Sequence, residues 1–89
     1  MGLSIKEQLT ELLALPKEII LNLPQIILTG SGELSIENYK SIIEYTESKV
    51  RINTNSGVLL VEGNGLGLKQ ITAEHIIVVG NIAKLEFLR

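Results

Sequence analysis

Cysteine is missing from all 89 residues, so neither a disulfide nor a thiolate metal site can staple the fold. Tryptophan is also missing, and two tyrosines and one phenylalanine are the only aromatics. That is thin for stacking nucleic-acid bases on a sheet. An excess of positive charge is absent as well. Eight Lys and Arg stand against ten acidic residues, for a net charge of −2. The basic residues are scattered singly among glutamates, without the basic stripe that phosphate binding needs. No apolar run approaches the roughly 20 residues of a membrane helix. The longest run only to four residues, as in Ile76-Ile77-Val78-Val79, the length of a strand, and the expectation is no direct membrane span. Lys6, Glu7 and Glu11 interrupt the N-terminal apolar residues, which does not read as a signal peptide.

What the chain has is aliphatic side chains. Apolar residues make up 45% of it, so the core must be built from Ile, Leu and Val. At this length the reading is one domain over residues 1–89, too small to bury much of its surface. Packing or oligomerisation has to supply its stability.

Residues 4 to 15 read as one short helix. Ser4 and Glu7 have capping-box spacing, and Ile5, Leu9, Leu12 and Leu13 fall on one face. Pro16 ends that piece. Lys17 to Leu23 is ambiguous, with Pro16 able to open a second helical turn, and Pro24 closes it. Residues 1–23 are thus a helical segment and residues 24–89 a β-meander.

Ile26 to Thr29 reads as a strand stopped by Gly30-Ser31-Gly32. Glu33 to Asn38 and Lys49 to Thr54 alternate polar and apolar, the period of a half-buried strand. Ser41 to Thr46 lies between them, with a turn at Glu47-Ser48. Asn55-Ser56-Gly57 turns into Val58 to Val61. Asn64-Gly65, a favoured type I′ dipeptide, then leads into Leu66 to Ile71. Thr72-Ala73-Glu74 leads into His75 to Val79, and Gly80-Asn81 into Ile82 to Leu88. This cadence predicts an all-β antiparallel meander of about seven or eight short strands, forming a small sandwich or barrel-like sheet. A β-solenoid, one strand per rung, is the alternative, although no fixed-period motif repeats. Val58 to Val61 and Ile76 to Val79 are apolar at every position, so both faces of these strands must be covered. The alternating strands, Leu34/Ile36 and Val50/Ile52, are expected nearer the rim.

No catalytic cluster emerges. His75 is the only histidine, with Glu74 as its one adjacent acid, and at a strand start it reads as a surface or turn residue. Gly63-Asn64-Gly65-Leu66-Gly67 is glycine-rich but leads into a strand, whereas a phosphate loop leads into a helix. Ser31, Ser41, Ser48 and Ser56 lie in no strand–turn–helix elbow. The glutamates are spread over separate strands, as solvated faces and turns would place them. No catalytic, metal or cofactor residue is assigned. The expectation is a non-enzyme, and a polar cleft gathering His75 and several glutamates around a metal or substrate would overturn it.

Leu15-Pro16-Lys17-Glu18-Ile19-Ile20 followed by Asn22-Leu23-Pro24, then Gln25 to Gly30, Leu34 to Ile42, Gly57 to Gly63, Leu66 to Ile71 and Gly80 to Phe87, together resemble the YabP/YqfC family of sporulation proteins from endospore-forming bacteria, its YqfC branch in particular. The resemblance covers nearly the whole chain and transfers no active site. It implies action in the mother-cell cytoplasm during spore development, in spore envelope or coat formation. It also implies a membrane-associated sporulation protein as partner. The expected function is therefore protein–protein contact or self-association, with no nucleic acid involved. A small β-barrel binding an apolar ligand is the alternative. Leu34, Ile36, Val50 and Ile52 are the candidate contact positions, on the premise that alternating strands lie at an edge whose backbone is available.

Overall fold

A computed structural model describes residues 23–88; the expected N-terminal helix lies outside them. The described chain is all β, with six strands: β1 (Gln25–Thr29), β2 (Glu33–Glu37), β3 (Tyr39–Tyr45), β4 (Lys49–Thr54), β5 (Gly57–Ile71) and β6 (His75–Leu88). Every pairing is antiparallel, and the sheet runs β1-β2-β6-β5-β4-β3. This is an open sheet and not a solenoid. It departs from a plain meander at one connection, because β2 is followed in sequence by β3, at the far edge.

Six strands replace the seven or eight expected because two of the expected turns do not reverse the chain. Asn64-Gly65 lies inside β5 and Gly80-Asn81 inside β6, and the two sites face each other across the pair. A type I′ turn needs positive φ at both central residues. Gly65 has φ +61, but Asn38 is the one non-glycine with positive φ among the described residues, so Asn64 does not meet the requirement. The β5–β6 ribbon therefore continues, with register shifts at Glu62/Gly63, Asn64/Gly67 and Leu68/Gln70. Such irregularities bend a strand and increase its twist.

The sheet must curl at this bend. Asn38 alone joins β2 to β3, and two Cα–Cα steps span no more than about 7 Å. In a flat sheet four strand spacings would separate them, roughly 19 Å. Asn38 makes the corner at φ +62, a conformation its short polar side chain tolerates. Its N–H donates to the Glu74 carbonyl at 2.8 Å, and its side-chain amide to the Leu23 carbonyl at 3.2 Å. The bend is also tied from outside. Gly63 and Leu66 N–H groups donate to Ser48 and Glu47 carbonyls on the β3–β4 turn, and Gly80 and Ile82 N–H groups donate to Gly32 and Ser31 on the β1–β2 turn.

Curling brings one face inward. Leu34, Ile36, Val50, Ile52, Leu59, Val61, Leu66, Ile76, Val78 and Ile82 form a single buried cluster, with Ile26, Tyr39, Ile42, Leu68 and Phe87 packed around it. Of the two strands expected to be covered on both faces, Val58 to Val61 buries Leu59, Leu60 and Val61, and Ile76 to Val79 buries Ile76 and Val78 while Ile77 and Val79 stay half-buried. The two tyrosines of β3 lean from one edge toward another. The Tyr39 hydroxyl donates to the Thr72 carbonyl, and the Tyr45 hydroxyl lies 4.0 Å from where a Gly67 Cβ would stand.

The closest backbone approach is at the bend. A Cβ on Gly63 would stand 2.0 Å from the Asn81 carbonyl oxygen, and one on Gly80 would stand 2.6 Å from the Gly65 oxygen. Gly65 itself has open space. Gly63→Ala is expected to lose about 3 kcal/mol or more in urea denaturation, since rigid backbone must move to relieve the overlap. Gly65→Ala pays only the left-handed backbone penalty, about 1–2 kcal/mol. Equal losses at the two positions would show that the bend does not depend on this contact.

Candidate functional site

Two places on the surface have more than bland polarity. The first is a polar cleft of about 240 Å³ at the Asn38 corner, lined by Glu37, Asn38, Thr72, Glu74 and His75. It brings Glu37 to His75 and its sequence neighbour Glu74, a gathering that one-dimensional spacing did not show for Glu37. His75 Nε2 lies 2.7 Å from Ser35 Oγ. Ser35 is 40 residues away in sequence, and the pairing of β2 with β6 alone brings them onto one face as diagonal neighbours.

A Ser–His contact becomes a nucleophile–base pair when a third group orients the ring and donors await an oxyanion. Among the described residues no group hydrogen-bonds His75 Nδ1, and no three His, Cys, Asp or Glu gather as metal ligands. The Asn38 N–H that reaches this corner is engaged by the Glu74 carbonyl. The contact is accounted for as a cross-strand pair on the outer face.

The second place is an edge. Leu34, Ile36, Val50 and Ile52, the candidate contact residues, are 0% exposed. Their strands are not edges: β2 lies between β1 and β6, and β4 between β3 and β5. These four side chains are core, and their backbones are already paired on both sides. Alternation correctly marked a strand with one wet face, but a wet face says nothing of position in the sheet.

Among the described residues the open edges are β1, β3 and the outer halves of β5 and β6. Natural sheets blunt edges with charge, bulges and proline. Strand β3 has register shifts that leave Lys40 and Ile43 unpaired, and it carries Glu44 in an ion pair with Arg51 at 2.8 Å. The outer half of β6 carries Lys84 and Glu86, paired at 3.0 Å. Lys84 is held above its ordinary pKa by the hydrogen bond to Glu86, and further by the charges of Glu86 and Glu62. The outer half of β5 has a shift at Lys69, which reaches Glu33 at 3.3 Å.

Strand β1 is preceded by Pro24 but within its own span has neither charge nor register shift. Gln25-Ile26-Ile27-Leu28-Thr29 is uncharged and pairs with β2 in unbroken register. Ile27 is 60% and Leu28 45% exposed. The sequence marked Ile26 to Thr29 as a strand, but edge position is a property of pairing. The only hint was an apolar strand with no charge of its own.

The YabP family profile matches residues 22–89. A protein of Bacillus subtilis (strain 168) designated "Uncharacterized protein YqfC" is 30% identical over 78 residues, covering 88% of this chain and 84% of the relative.

The two sets of residues separate under mutation. Leu34→Ala and Ile52→Ala each remove a fully buried side chain and are expected to lose about 2–5 kcal/mol of stability. Ile27→Ala is expected to stay within about 0.5 kcal/mol of the unsubstituted protein. Thermal or urea unfolding checks both, and a near-neutral Leu34→Ala would contradict the core assignment.

Proposed function

Because this chain belongs to the YabP family, we propose that it is a non-enzymatic protein-contact module that works through the open edge of β1. The observation that carries the reading is the contrast between edges: β3 and the outer halves of β5 and β6 carry charge and irregular register, while β1 presents a regular, uncharged strand. Such an edge recognises another chain by strand addition, in which backbone hydrogen bonds supply affinity and alternate side chains supply specificity. Thr29 turns its carbonyl toward the β1–β2 turn, where Gly32 N–H donates to it at 3.4 Å. Backbone groups alternate in direction along a strand. The amides and carbonyls of Ile26 and Leu28 thus face the open side.

The setting we propose is spore envelope or coat formation in the mother cell, with a membrane-associated sporulation protein as partner. The support is the resemblance of the Leu15–Pro24, Leu34–Ile42 and Gly80–Phe87 segments to the YabP/YqfC sporulation family. Among the described residues no helix is long and apolar enough to cross a membrane, and the scheme assigns membrane association to the partner. The Ser35–His75 contact supports a catalytic reading less well, since among the described residues no group hydrogen-bonds His75 Nδ1 to orient the ring.

Ile27→Lys places a charge on the exposed edge without touching the core. It is expected to keep the melting temperature and to lower retention of the partner from sporulating cells at least about tenfold, equivalent to 1.4 kcal/mol. Lys40→Ala, on β3, is expected to leave retention unchanged. Full retention by Ile27→Lys would sink the assignment of β1 as the contact edge.

A further inference from the structure

Resting on the reading of β1 as the contact edge, we infer that in the absence of the partner this edge is occupied by β1 of a second copy, paired antiparallel about a two-fold axis through Ile27, a pairing that the partner's strand displaces. The strand is chemically palindromic. With Ile27 opposite its own copy, Ile26 faces Leu28 of the second copy and Gln25 faces Thr29. Apolar meets apolar at three central positions and polar meets polar at the ends, the matched cross-strand pairing that stabilises sheets. In this register Ile26 and Leu28, whose backbone groups face the open side, form the hydrogen-bonded pairs, and Ile27 forms the closer non-hydrogen-bonded pair.

Burial and charge agree with this register. Ile26 and Leu28 lie opposite Ile36 and Leu34, on the face that carries the core. Ile26 of the second copy therefore lands beside the half-exposed Leu28 and extends the aliphatic layer across the axis. No residue of β1 is charged. The nearest like charges across the junction are Glu37, beside Gln25, and Glu33 of the second copy, beside Thr29. Three strand spacings, about 14 Å, separate them, beyond the screening length of about 10 Å at 0.1 M salt. A β1–β3 contact between copies would instead set a regular strand against one with two register shifts.

This contact is isologous, so it closes at two copies and does not propagate. Five residues a side is small against the roughly 800 Å² per partner of a standard stable interface. The dimer is therefore reversible and depends on concentration.

The chain's lack of cysteine makes single-cysteine variants clean probes of register. Ile27→Cys sets two sulfurs opposite each other with Cα atoms about 4.5 Å apart, within disulfide reach. Thr29→Cys lies on the same strand face, but its two copies are four residues out of register, roughly 14 Å along the strand. On mild oxidation of the full chain, Ile27→Cys is expected to form a covalent dimer. Thr29→Cys is expected to do so only when mixed with Gln25→Cys. Sedimentation velocity of the unsubstituted protein should show dimer rising with concentration, and Ile27→Lys should weaken it at least tenfold. Reduced Ile27→Cys melting like the unsubstituted protein controls for folding. Equal cross-linking by Thr29→Cys alone, or a monomer at every concentration, overturns the inference. In that event, loss of partner by Ile27→Lys leaves the contact-edge reading standing, and retention of partner removes both.

Discussion

Everything in this domain depends on two glycines that let the β5–β6 ribbon bend. Gly63 and Gly80 each lie against the backbone of the opposing strand, where a Cβ would stand within 3 Å of a carbonyl oxygen. Without that approach the ribbon would run straight, since pairing continues on both sides of the bend. A straight ribbon would leave β2 and β3 too far apart for Asn38 to join. It would also leave the aliphatic face with no second layer to meet. The bend does for this chain what disulfides or large aromatics do in other small domains. It closes a core of Leu, Ile and Val around ten buried side chains.

Much of the strand layout was legible because its turns use residues with one clear physical role. Gly30-Ser31-Gly32, Glu47-Ser48, Asn55-Ser56-Gly57 and Thr72-Ala73-Glu74 all reverse the chain between paired strands. Gly30 and Gly57 take positive φ there. Thr46, Thr54 and Thr72 each bond backbone groups two or three residues on, a local satisfaction that favours turns. Asn64-Gly65 and Gly80-Asn81 carry the same residue types but serve a bend. A glycine that frees the backbone for positive φ and one that makes room for a neighbouring strand look identical in one dimension. The distinction rests on a partner strand 18 residues away, as with Gly63 against Asn81.

The candidate site was less legible, for a related reason. The period of two in β2 and β4 correctly reports one dry and one wet face. It carries no information on the lateral neighbours that make a strand central or peripheral. Leu34 and Ile36 on β2, and Val50 and Ile52 on β4, therefore read as rim residues and lie in the core. Strand β1 shows the converse. Its run of Ile26, Ile27 and Leu28 reads as a strand, and Ile27 is more than half exposed because no described strand flanks it. The Ser35–His75 contact was equally hidden, being made by the β2–β6 pairing.

The edges of the sheet differ in how they are protected. A chain of 89 residues has little stability to spare, and an unprotected apolar edge invites aggregation. The same chain carries lysine, glutamate and irregular register on its other open edges, so the means to blunt β1 are within its ordinary composition. A single lysine at Ile27 would suffice without disturbing the core, since that side chain points away from it. That β1 stays neutral, regular and apolar is consistent with a strand that spends its working life paired. A two-fold pairing meets both demands at once. It supplies the missing neighbour for Ile26 and Leu28, and by closing on itself it leaves no further edge of the same kind on which a third chain could grow.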